Sequence, residues 1–401
     1  METITSIRRA FERAVGLESG HTIVYDPSMR NSQAIIHLDN LVSNIAAIRS
    51  EIGPSSAICL AVKADGYGHG AIRTAKTAVE AGVEYLAVAS ADEGLELRRA
   101  GVLAPVLLLG IPSPDEIERV VAGHISAVVV STEQARLFAA AAAKTGIPAR
   151  LHVKIDTGMG RIGCSEDCAP DLAHVISTTS DLVLDGVCTH LPVADDTDHT
   201  FTLNQIDRFR RCIGRIRDTG IDPGIVHAAN TAGLEAYPSS RFDMIRTGIA
   251  AYGYPQAPGS TLSSKLRPVM ELRSKVVFLK KVAAGTALSY GHTYTTQRTT
   301  HIATVAAGYA DGYRRSLSNC GQVLIRGKRY PVVGTVCMDQ FLVDLGSETG
   351  IELYDDVTLF GPDMAGPDAS EVAKLTNTIP YEITCGISSR VPRVYKSTKP
   401  R

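Results

Sequence analysis

Three apolar runs in this sequence end on side chains able to do chemistry, and a fourth ends on a lysine. Lys63 closes AICLAVK, His190 closes GVCTH, Asn230 and Thr231 close VHAANT, and Arg246 stands before Gly248 and Ile249 in MIRTGI. A charged lysine at the end of a buried strand is costly unless it is paired, covalently modified or neutral. The turns Asn230-Thr231-Ala232 and Thr247-Gly248-Ile249 offer a hydroxyl and backbone N–H groups of the kind that cradle phosphate. A lysine beside a phosphate cradle suggests a Schiff base to a phosphorylated aldehyde. The competing reading is a snorkelling Lys63 that pairs with Asp65.

Such residues need elements to converge them. Between about residues 34 and 265, eight short β-branched and aliphatic runs alternate with longer helical patterns, as repeated βα units do. The runs are 57–62, 84–89, 105–110, 126–130, 150–155, 182–189, 225–229 and 242–246, with helices expected at 70–81, 91–100, 132–145 and 203–219. Eight units suit a (β/α)8 TIM barrel, which takes about 250 residues and holds its site at the carboxyl ends of its strands. A doubly wound open sheet is the alternative. Beyond Leu266, strand-like segments at 276–279, 300–305, 323–325, 331–336, 341–344 and 357–359 and a single helix at 368–376 predict a mostly β domain. The expected division is an amino-terminal extension (1–30), a barrel (31–265) and a carboxyl-terminal β domain (266–401).

Composition narrows the partner. A net charge of -1 from 41 basic and 42 acidic residues provides no field for nucleic acid, and the absence of Trp argues against stacking surfaces and membrane belts. No apolar run is long enough to span a membrane. The first twenty residues lack the apolar centre of a signal peptide, and Ile4, Ile7, Phe11 and Val15 recur at helical spacing. Eight cysteines without a CxxC pair read as free thiols of a cytoplasmic protein, not as a zinc site. A small-molecule partner and no metal are expected.

Several longer segments are more specific. AVKADGYGHG (61–70), KIDTGMGRIG (154–163), HAANTAG (227–233), RTGIAAYG (246–253), SYGHTYT (289–295), AAGYADGYRR (306–315), GTVCMDQ (334–340) and RVPRVY (390–395) resemble, in order and across almost the whole chain, motifs of the alanine racemase family. The resemblance implies a pyridoxal 5′-phosphate (PLP) enzyme that interconverts L- and D-alanine, with a role in D-alanine supply for the cell wall. It implies a homodimer with shared active sites.

On that resemblance, Lys63 carries PLP and then serves as one base, while Tyr290 is the second base, contributed by the partner subunit. Racemisation needs bases on opposite faces of a planar carbon, which a Lys/Tyr pair from two domains can supply. Arg246 resembles the arginine that donates to the pyridine nitrogen without protonating it, which disfavours transamination as a side reaction. His190 would orient Arg246, and His227 would act similarly near Tyr290; both could instead be satisfied core histidines. Tyr67, Asn230, Thr231, Gly248 and Ile249 correspond to the phosphate side. Arg161 matches a contact to the PLP phenolic oxygen and the substrate, with Met338 and Asp339 on the substrate carboxylate. The last two could equally be turn residues. Lys154 matches a lysine that is carbamylated in many members; otherwise it would pair with Asp156.

The chain departs from the family pattern at His190-Leu191-Pro192 and at Ser389, where a phosphate-side tyrosine is usual. A serine there predicts more room and tolerance of substrates such as serine, hence a broader-specificity racemase as one alternative. A PLP-dependent decarboxylase and a non-enzymatic PLP-carrier protein are the others. The SYG and CMDQ segments argue against the first, and the β domain argues against the second.

Overall fold

The computed structural model describes residues 30–398 apart from Pro258, Glu348 and Thr349, so the amphipathic pattern at the amino terminus lies outside the described residues. The first strand, β1 (Gln33–His37), leads into a helix, Leu38–Ile52. Eight parallel strands then alternate with helices: β2 (Ala57–Ala61), β3 (Tyr85–Val88), β4 (Val106–Leu108), β5 (Ile125–Val129), β6 (Ala149–Lys154), β7 (Leu182–Cys188), β8 (Ile225–His227) and β9 (Met244–Thr247). Each coincides with one of the eight expected runs.

Their ladder runs β8-β7-β6-β5-β4-β3-β2-β9. It closes through the N–H groups of Asp243 and Arg246, which donate to the carbonyls of Val226 and Ala229 at 3.0 and 2.8 Å. The strands are short and buried on both sides, as β-branched runs between helices must be. Helix boundaries follow from local chemistry. Ser131 caps the helix Thr132–Thr145 by accepting from Gln134 N–H, and Gly146 ends it in the left-handed region.

Beyond the barrel, β10 (Met270–Val282) crosses a largely antiparallel sheet with Thr300–Val305, Gln322–Ile325, Lys328–Val333, Phe341–Gly346 and Asp356–Phe360. The observed architecture is a TIM barrel followed by a mostly β domain. One strand within the span 31–265 does not belong to the barrel. β1 joins the second sheet, antiparallel to β10 and parallel to Arg393–Lys396, so a strand expected with the barrel completes the β domain instead. A helix at Pro380–Cys385 was not expected from the sequence; proline at its first turn starts it. Among the described residues no helix is long and apolar enough to cross a membrane.

Candidate active site

The chain leaves β2 in an unusual conformation that aims Lys63. Ala64, Asp65, Gly66 and Tyr67 all adopt positive φ between 52° and 61°, a left-handed turn that costs about 1–2 kcal/mol for each residue with a side chain. Its hydrogen bonds hold it there. Ala64 N–H donates to Glu93 Oε1 at 2.8 Å, and the Asp65 carboxylate accepts from Ala71 N–H at 2.8 Å. Glu93 also closes the capping box with Ser90 on the neighbouring helix, Ala91–Arg99, so the lysine turn is fastened to that helix. Asp65 thus serves the backbone, and no ion pair joins it to Lys63 among the described residues.

Lys63 faces a cavity of about 350 Å³ at the carboxyl ends of the barrel strands. Tyr67, Lys154, Arg161, His190, Asn230, Thr231, Arg246 and Gly248 line the same cavity. Among its described lining residues none is Asp or Glu, whereas Lys63, Lys154, Arg161 and Arg246 are cationic. Burial lowers the pKa of Lys63, and the Arg161 and Arg246 charges add to this. Burial and the same two arginines bring Lys154 down to about 8. Asp156 accepts from the backbone N–H groups of Gly158 and Gly160, not from Lys154.

Arg246, on β9, is held from several sides. It donates to Thr189 O (2.7 Å), Ala228 O (3.0 Å), His190 Nδ1 (3.2 Å) and His227 Nδ1 (2.7 Å). Burial and then the Arg246 charge push His190 down to about 2, so it stays neutral and can accept. His227 lies inside the barrel against Arg246, not near Tyr290, because β8 ends beside β9 at the point of closure.

The phosphate-type cradle is compact. Gly248 N–H donates to Thr231 Oγ1 at 3.2 Å, and a Cβ on Gly248 would stand 2.6 Å from the Tyr67 hydroxyl. Only glycine lets the backbone come this close. Asn230 caps the short helix Thr231–Ala236 by accepting from Gly233 N–H, while its amide donates to Leu191 O. Ile249 is fully buried behind the cradle and does not line the cavity. Sequence reasoning missed Tyr381. Its ring lies 5.6 Å from that of Tyr67, and it lines the cavity together with Thr231. Ser389 does not line the cavity; Tyr381, from the unexpected helix, does. A tyrosine following the Ile379-Pro380 helix start was the available signal.

The structure does not bring Tyr290, Met338 and Asp339 to this cavity. They cluster elsewhere on the β domain. Thr335 Oγ1 donates to Tyr290 O at 2.8 Å, and Ala310 N–H donates to Met338 O at 3.0 Å. Arg390 donates to Asp339 at 2.7 Å. Tyr290 is 72% exposed and Met338 53% exposed.

Comparison with known proteins identifies the family. Residues 36–256 match the family described as alanine racemase, N-terminal domain, and residues 269–395 match alanine racemase, C-terminal domain. The chain is 44% identical over 374 residues to the alanine racemase of Treponema denticola, covering 92% of this chain and 98% of that one. It is 45% identical over 377 residues to that of Treponema pallidum, covering 92% and 100%. Among solved structures, the alanine racemase of Streptomyces lavendulae superposes with a TM-score of 0.87 at 36% identity, over 92% of this chain and 98% of that one. With both of its domains matched in order and likeness extending over nine-tenths of its length, the chain belongs to the alanine racemase family.

Proposed function

We propose that the protein interconverts L- and D-alanine with PLP held at Lys63, as a homodimer in which each site draws residues from two copies. The observation that carries this reading is the acid-free cavity, in which a half-buried lysine of lowered pKa stands among three further cations beside a hydroxyl and N–H cradle. The donors fit the cofactor. Tyr67, Thr231, Gly248 and Tyr381 suit its phosphate, Arg161 its phenolic oxygen, and Arg246 its ring nitrogen. When bound, PLP supplies an electron-accepting ring that stabilises charge left on the substrate Cα.

The chain's own residues do the rest. Burial favours the neutral amine of Lys63, whose Nζ can take the Cα proton from one face. Tyr290 of a second copy gives a proton from its Oη to the opposite face, and the two exchange roles in the reverse direction. Its exposure, together with that of Met338, fits a surface completed by association. Arg246 donates to the ring nitrogen and keeps its own proton. A cytoplasmic setting, in which eight free thiols persist, accords with D-alanine supply for the cell wall.

Incubation of the cofactor-loaded protein with L-alanine in D₂O tests the reading. Loss of circular dichroism should accompany deuterium at Cα. Absence of both with PLP bound would overturn it.

A further inference from the structure

The barrel interior holds polar side chains that the proposed reaction does not use. Behind Arg246, His227 on β8, His152 on β6 and Asp185 on β7 form a file through the core. His227 Nε2 lies 3.0 Å from His152 Nδ1, and His152 Nε2 lies 3.4 Å from Asp185 Oδ2. Both rings are fully buried. Asp185 is fixed at its end of the file by Arg150 at 2.5 Å and by the Ser126 hydroxyl at 3.1 Å. The passage for the file is built by the backbone. A Cβ on Gly186 would stand 2.4 Å from His152 Nδ1, so that ring fits only because β7 carries glycine there.

The file has a direction. A guanidinium has no lone pair and can only donate, so His227 Nδ1, 2.7 Å from Arg246 Nη1, must accept. The His227 proton is then on Nε2 and points at His152 Nδ1, which must accept in turn. The His152 proton is left on Nε2, facing the Asp185 carboxylate. Only this order sets a donor against an acceptor at each step, and although His152 Nε2 makes no hydrogen bond of ordinary geometry, the Asp185 carboxylate 3.4 Å away selects it by charge from the far end of the barrel.

We propose that Asp185 and His152 are positioning residues, which fix the tautomer of His227 and thereby the orientation in which Arg246 faces the reaction cavity. The inference rests on the reading of Arg246 given above and deepens it. Without the carboxylate, His227 gains access to the tautomer with hydrogen on Nδ1. That hydrogen meets an arginine N–H, donor against donor, and the guanidinium must turn or withdraw.

The test combines two readouts on Asp185→Ala and Asp185→Glu. In cofactor-free protein with ¹⁵N-labelled histidine, ring-nitrogen shifts should show His227 protonated at Nε2 alone in the parent chain. They should show mixed tautomers in Asp185→Ala and the parent pattern again in Asp185→Glu. In loaded protein, kcat for alanine should fall about 10- to 100-fold in Asp185→Ala, the range that partners fixing a histidine command, with KM little changed and recovery in Asp185→Glu. If Asp185→Ala does not fold, His152→Phe, a ring without an acceptor, must give the same two changes. Unaltered tautomers overturn the proposal whatever the rate does, and so does an unaltered rate with mixed tautomers. Because the tautomers are read without cofactor or substrate, failure of the racemase reading would show separately, as a parent chain that does not racemise alanine.

Discussion

Gly248→Ala offers a sharp test of the cradle, because its effect can be worked from contacts. The added Cβ would lie 2.6 Å from the Tyr67 Oη and 3.1 Å from its Cζ, well inside van der Waals contact. Tyr67 has nowhere to retreat. Its ring is 7% exposed, stacks on Tyr252 at 4.9 Å and rests against Tyr381 at 5.6 Å. Either the hydroxyl or the Gly248 backbone must move, and each is a donor to the proposed phosphate. Overpacking of this kind costs about 1–3 kcal/mol of stability. Loss of one hydrogen bond to a charged group costs a further ~1.5–3 kcal/mol of binding, or roughly 10- to 150-fold in the Kd for PLP. PLP titration followed by absorbance, paired with thermal unfolding, measures both. Gly214→Ala is the control: nothing lies within 4 Å of its Cβ, and alanine in that helix should stabilise by up to ~1 kcal/mol. An unchanged PLP affinity in a folded Gly248→Ala protein would refute the cradle.

Three further outcomes are expected. Lys63→Ala and Tyr290→Phe should each be inactive, yet mixing them through a dissociation and reassociation cycle should restore about a quarter of the parent rate, since half the dimers are hybrid and each hybrid has one intact site; no recovery would argue against shared sites. His69, His190 and His227 are held neutral by burial, at about 4, about 2 and well below the usual value, whereas the unfolded chain protonates them near 6.5. Stability is therefore full above pH 6.5 and falls as the pH drops, by about 2 kcal/mol for each histidine by pH 5, and calorimetry with a flat profile over this range would contradict their assigned neutrality. Lys154, with a pKa of about 8, has enough neutral amine near pH 7 to react with carbon dioxide; intact-protein mass should show a gain of one carboxylate that Lys154→Gln abolishes.

Much of this architecture was legible because the barrel repeats one simple signal. Each parallel strand is buried on both faces and reads as an apolar run, and the polar residue that ends it is placed by the fold at one rim. Lys63, His190, Thr231, Arg246 and Gly248 are therefore grouped by the sequence pattern alone. What escaped was set by tertiary contacts. β1 resembles any apolar strand, and nothing local says that its partners are β10 and Arg393–Lys396. Tyr381 follows a proline in a short segment without periodicity, and only folding carries it to Thr231. The place of His227 followed from barrel closure, which no local pattern encodes.

The pairing of β1 has a consequence for how the chain matures. Its neighbours in the sheet are encoded after the entire barrel and at the far carboxyl end. At a synthesis rate of about 5–20 residues per second, a strand made before the whole barrel waits tens of seconds for either partner. During that interval it is an apolar edge, open to pairing with other nascent chains. The barrel can close while β1 waits, but the β domain cannot finish its sheet until Arg393–Lys396 has left the ribosome. Assembly of the second domain, and of any dimer built on it, thereby follows synthesis of the whole barrel.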